Sequence, residues 1–64
     1  MKITLITETK PQGFEVEWPC APGTGDWVGF RYPGGLEGHQ VATVEYVADR
    51  DHALVEVRVT LERT

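Results

Sequence analysis

Beyond Ala53, from Val55 to Glu62, the chain changes polarity at every residue: Val55, Val57, Val59 and Leu61 alternate with Glu56, Arg58, Thr60 and Glu62. A strand sends successive side chains to opposite faces, so this segment has one oily face and one wet face. Its many β-branched residues resist a helix. Gln40 to Arg63 therefore reads as one long β-hairpin, turned by Asp49-Arg50-Asp51-His52. That turn contains no Gly, which points to a four-residue loop built on a type I turn. The upstream strands must lie against this hairpin and cover its oily face.

The upstream chain supplies three such strands. Ile3 to Thr9 is rich in β-branched residues and reads as the first. Lys10-Pro11-Gln12-Gly13 is a turn, with Pro setting one backbone angle and Gly free to take the positive one. Phe14 to Trp18 alternates again, with Phe14, Val16 and Trp18 inward and Glu15 and Glu17 outward. Pro19 to Gly25 is a loop, because Pro has no N–H to give a ladder. Asp26 to Tyr32 resumes the pattern, with Val28, Phe30 and Tyr32 on the core side and Trp27, Gly29 and Arg31 on the other. Pro33 to His39 reads as a second Gly-rich loop, from which Leu36 folds back as a plug over the end of the fold. Val41 to Ala48 is the fourth strand. Its inward set is Ala42, Val44, Tyr46 and Ala48 in one register, or Val41, Thr43 and Val47 in the other. The first is favoured because it leaves Glu45 in water, and a bulge would mix the two.

Five short strands, each with one oily face, must close on themselves or on another copy. The expectation is one all-β domain spanning residues 1–64, a five-stranded, strongly bent antiparallel barrel. An open meander that dimerises face to face is the alternative. At 64 residues the chain is near the lower limit for folding without a disulfide or metal, so association with a partner subunit would help to stabilise it.

Ten acidic against six basic residues give a formal charge of −4. This disfavours a general phosphate-binding surface and suits a basic partner. Cys20 is the single cysteine, so no internal disulfide is available, and a cytoplasmic location follows by default. No apolar run approaches a membrane span, and Thr4, Thr7 and Glu8 interrupt any signal-peptide core. The absence of Ser and Asn removes a serine nucleophile and N-glycosylation.

Gly25-Asp26-Trp27-Val28, the glycines Gly34, Gly35 and Gly38, then Val41 and Val44, and finally Val55-Glu56-Val57 resemble the SH3-like small barrels. Within them they are similar to the KOW-type motif of ribosomal and transcription-elongation proteins. The resemblance covers a little over half the chain and implies a barrel. Two residues, His39 and Gln40, separate Gly38 from Val41 where the family has one, and the RNA-contacting loop Lys and Arg residues of that family are missing. RNA binding is therefore the second reading, resting on Lys10, Arg31, Arg50 and Arg58 as a local basic stripe.

No catalytic, metal or cofactor site is expected. Cys20 has neither His39 nor His52 beside it in sequence, and these three offer too few soft ligands for structural zinc. Asp49, Asp51 and His52 lack the Gly and terminal Glu of a calcium loop. Gly23-Thr24-Gly25 is followed by a strand where a dinucleotide loop needs a helix. The candidate binding residues are aromatic. Trp27 and Arg31 lie outside the core face with Gly29 between them, while Trp18 and Tyr32 sit at strand ends, rimmed by Glu37 and Asp26. Such a patch suits a Pro-rich or Arg-bearing peptide. The leading expectation is thus a non-enzymatic interaction module that binds a protein partner or another copy of itself. A small enzyme with a site at a subunit interface ranks behind RNA binding.

Overall fold

A computed structural model describes residues 1–63. It contains five strands: β1 (Lys2–Ile6), β2 (Phe14–Glu17), β3 (Trp27–Tyr32), β4 (Gly35–Ala48) and β5 (Leu54–Arg63). They form one sheet in the order β2-β1-β5-β4-β3, strongly curled into a half-barrel. The all-β, five-stranded expectation holds. β2 and β3 are the two outer strands and do not pair, so the curl stays open between them.

One pairing departs from the antiparallel expectation. β1 and β5 run parallel, with Thr4 beside Arg58, Leu5 beside Val59 and Ile6 beside Thr60. The reason is simple parity: when each successive strand reverses direction, the first and fifth point the same way, and pairing them must give a parallel ladder. This seam joins a β1–β2 hairpin to a β3–β4–β5 meander.

The core sits on the concave face across that seam. Ile3, Leu5, Val41, Val57, Val59 and Leu61 are buried, and Phe14, Val16, Trp18, Ala21, Val28, Phe30 and Val44 pack around them. The alternation in β5 therefore reads correctly for Val57, Val59 and Leu61. It fails at Val55, which is 61% exposed. The register slips between Val47 and Ala48 on β4, opposite Leu54–Glu56, and the arm at that point has run beyond the strands that cover the core.

β4 resolves the two registers by using both. Val41 faces the core opposite Leu61; a shift then lies between Val41 and Thr43, and Val44 faces the core opposite Val59. Ala42 is the extra residue, and the bulge converts one inward set into the other. Tyr46 shares the inner side of Val57 but stays exposed.

The Gly-rich segment after Tyr32 is a strand and not a loop. Only Pro33 and Gly34 turn the chain, since Tyr32 already pairs with Gly35, and the ladder continues through Leu36, Glu37, Gly38, His39 and Gln40. Cross-strand bonding to β3 overrides the poor strand propensity of Gly35 and Gly38. Leu36 consequently does not plug the barrel end. It lies on the outer face, 69% exposed, where its Cδ1 would stand 3.2 Å from a Cβ on Gly29.

Two turns are fixed by local chemistry. Gly13 has φ of 83°, and a Cβ there would meet Thr4 Cγ2 at 2.7 Å, so the β1–β2 turn requires glycine on both counts. At the β4–β5 turn, Asp49 Oδ1 accepts from the N–H groups of Asp51 (2.8 Å) and Ala53 (3.1 Å). The His52 N–H donates to the Asp49 carbonyl at 3.0 Å, closing the expected type I turn.

Candidate functional site

The β3–β4 hairpin carries most of the residues expected to bind. Opposed residues in an antiparallel pair share a face, so the register sorts them without ambiguity. Trp27 opposite Gln40, Gly29 opposite Gly38, and Arg31 opposite Leu36 lie outside; Val28 opposite His39 and Phe30 opposite Glu37 lie inside. Trp27 is 66% exposed. On the outer face it is separated from Leu36 by the Gly29–Gly38 pair, which has no side chains. The result is a shallow outer surface with the indole at one end, the Leu36 side chain leaning over Gly29, open space above Gly38, and Arg31 beside Leu36.

The rim residues take distinct places. Tyr32 is exposed at the end of β3 and lines a shallow depression with Leu36 and Glu37. Asp26 is held by the preceding loop: its Oδ2 accepts from the Gly23 N–H at 2.8 Å, and its carbonyl accepts from the Val41 N–H at 2.9 Å. It stands at the start of β3, adjacent to Trp27. Trp18 is not part of this group. It follows β2, donates its N–H to the Met1 carbonyl at 3.0 Å and packs partly against the core. It therefore lies at the end of the sheet opposite Tyr32, because β2 ends where β1 begins.

Sequence reasoning missed a second feature on the concave side. A cavity of about 80 Å³ opens between the two outer strands, lined by Thr7, Lys10, Phe14, Phe30, Glu37 and His39, among others. His39 is only 5% exposed. Its Nε2 lies 3.1 Å from Glu37 Oε1, and its ring meets Phe30 edge-on at 5.4 Å between centroids. Its Nδ1 is buried with no hydrogen-bond partner among the described residues, a costly arrangement in a small protein. On the opposite wall, the Lys10 ammonium sits 4.9 Å from the centre of the Phe14 ring, a cation–π contact. The signal that would have revealed both faces is the Pro33-Gly34 turn: pairing Tyr32 with Gly35 assigns every later residue to a side.

The basic residues are dispersed. Arg31 is on β3, Lys10 and Arg50 are in different turns, and Arg58 on β5 has its Nε 3.3 Å from Glu56 Oε1. Cys20 is exposed in the loop between β2 and β3, away from His39 on β4 and His52 in the hairpin turn. Among the described residues, no helix is long and apolar enough to cross a membrane. No family model matches this chain, and neither the curated proteins nor the solved structures include a significant match to it.

Proposed function

We propose that the protein is a non-enzymatic interaction module whose contact face is the outer surface of the β3–β4 hairpin. One observation carries this reading: Trp27 and Leu36, each about two-thirds exposed, flank a glycine pair on one face. Exposed large apolar groups gathered on a small domain mark contact surfaces, and Trp is the side chain most enriched among binding hot spots. Leu36 leans over Gly29, and the open space above Gly38 admits the backbone or ring of an extended segment. Trp27 offers a stacking surface for Pro or Arg, and Asp26 stands beside it to meet positive charge, whereas Glu37 faces the inner side, where it bonds His39. The net charge of −4 favours the same partner class, a basic or Pro-rich protein segment. A cytoplasmic setting, with Cys20 reduced, belongs to this proposal.

The test compares partners captured by the wild-type chain with those captured by a Trp27→Ala, Leu36→Ala double variant. Both side chains are exposed, so the variant should melt like the wild type. Loss of the specific partners is expected, and an unchanged set of partners would remove the reading. The SH3-like, KOW-type reading with RNA as ligand ranks second, because its candidate bases sit on four separate elements and Arg58 is engaged by Glu56. A clear mobility shift of RNA at low salt, abolished by Arg31→Ala, would reverse that ranking.

A further inference from the structure

The far end of the β4–β5 hairpin is a two-stranded ribbon with an open edge. β3 accompanies β4 only along Gly35–Gln40. The last backbone bonds on that side are Gly25 N–H to the Val41 carbonyl and Val41 N–H to the Asp26 carbonyl, both 2.9 Å. From Thr43 to Ala48, β4 is bonded to β5 alone among the described residues. Alternate N–H and C=O groups of this stretch point sideways with no strand to receive them.

Natural sheets protect such edges with Pro, charged side chains, β-bulges or very short strands. β2 is short, carries Glu15 and Glu17, and is followed by Pro19; β3 contains Gly29 and stops at Pro33. The 43–48 stretch reads Thr, Val, Glu, Tyr, Val, Ala; Glu45 is its one charge and register shifts lie at its two ends, but it has no Pro, Lys or Gly, and Thr43 to Val47 runs in unbroken register. Its inner side is also greasy where it leaves the body, with Tyr46 59% exposed and Leu54 and Val55 exposed beside it.

We propose that this edge pairs with the same edge of a second copy, forming a two-fold antiparallel β4–β4 ladder centred on Tyr46. Facing residues must share a side of the sheet, so the two-fold axis passes through a residue. Two positions of that axis retain most of the overlap. Centring on Glu45 sets two carboxylates directly opposite each other, which is unfavourable. Centring on Tyr46 pairs the two Tyr46 rings, sets Val44 against Ala48 on the inner side, and sets Glu45 against Val47 on the outer side.

Two further matches single out a second copy over an unrelated strand. The added strand is as long as the gap it fills, because both are the same residues, and its turn ends where β3 begins. In that register Arg50 of each copy falls level with Ala42 of the other, next to the Gly25–Asp26 segment bonded to Val41, which sets opposite charges near each other on both sides of the axis. The paired edge, Thr43 to Ala48, contains none of Trp27, Gly29, Leu36 and Gly38; Asp26 alone lies near both surfaces.

Sedimentation equilibrium of the full chain from about 10 µM to about 1 mM covers the range expected for an interface below standard size. The apparent mass should rise from 7.2 kDa towards twice that value. Tyr46→Lys, at an exposed site, should shift association to at least tenfold higher concentration, while Trp27→Ala should leave it in place. In a Cys20→Ser background, Tyr46→Cys should give a disulfide-linked dimer under mild oxidation and Glu45→Cys should not, since directly opposed residues lie within disulfide reach. A monomer at every concentration would overturn the proposal, as it would if an unrelated strand takes this edge. So would a dimer that survives Tyr46→Lys, one lost through Trp27→Ala, or crosslinking through Glu45→Cys instead. Circular dichroism of each variant separates loss of association from loss of fold, and loss of partner capture by the Trp27 face would leave these outcomes unchanged.

Discussion

His52 holds φ at 65° in the β4–β5 turn, a conformation that costs an L side chain about 1 kcal/mol relative to glycine. The side chain is exposed and the turn is held by Asp49. His52→Gly is therefore expected to stabilise the protein by up to about 0.5 kcal/mol, after the extra unfolded-state entropy of glycine is deducted. For a domain of this size 1 kcal/mol corresponds to about 4–8 °C in melting temperature, which calorimetry resolves. A lower melting temperature would mean that the imidazole makes a contact the turn needs. His39 poses the converse question. His39→Phe gives up the Glu37 hydrogen bond, about 0.5–1.5 kcal/mol, and relieves the unpartnered Nδ1, about 1–3 kcal/mol. The edge-on stacking with Phe30 can persist, so equal or higher thermal stability is expected. A clear drop would show that Nδ1 finds a partner in solution.

At the scale of elements, the alternation in β5 treats Val55 and Val57 alike and the fold does not. Val57 is 2% exposed and Val55 61%. Val57→Thr buries a hydroxyl against the core and should cost about 1–3 kcal/mol, whereas Val55→Thr should stay within about 0.5 kcal/mol. Urea titrations of the two variants check this. Equal costs would mean that the distal arm is covered in solution, as an association through β4 would arrange. The strand spans themselves were largely readable: Phe14–Glu17, Trp27–Tyr32 and the long hairpin follow from polarity alternation and Pro/Gly punctuation. The Gly35–Gln40 half of β4 was not, because its two glycines, next to the Pro33-Gly34 turn, weaken any local strand signal and only pairing with β3 keeps it extended. The surface around Trp27 was half legible. Its outward direction followed from parity, but its neighbour Leu36 depends on that same pairing.

For the molecule as a whole, the open curl and the long arm give principal extents of 44 × 21 × 19 Å. The parallel β1–β5 seam carries the centre of the core, so damage there should act globally. Leu5, fully buried and paired with Val59, is the sharpest probe: Leu5→Ala should cost about 2–5 kcal/mol. In a domain near the lower size limit that is enough to unfold much of the population at 25 °C. Far-ultraviolet circular dichroism reads this directly, and a cooperative melt close to that of wild type would contradict the placement of the core. Amide hydrogen exchange should grade the molecule in the same way, slowest at Val57–Leu61 and fastest in the two-stranded arm, whose edge amides face solvent.

Alternation of side chains fixed the faces, because parity along a strand is a property of the chain itself and needs no partner. It determined that the protein is all-β, which residues of β1, β2, β3 and β5 compete for the interior, and, through the reversal of five successive strands, that the first and last would be parallel if they met. Whether they met, where β4 slipped by one residue at Ala42, and how far the hairpin outran its cover were decided only in three dimensions. Each of those depends on contacts between residues distant in sequence, where a bulge or an overhang is settled by the space left between packed side chains and leaves no mark on the local pattern.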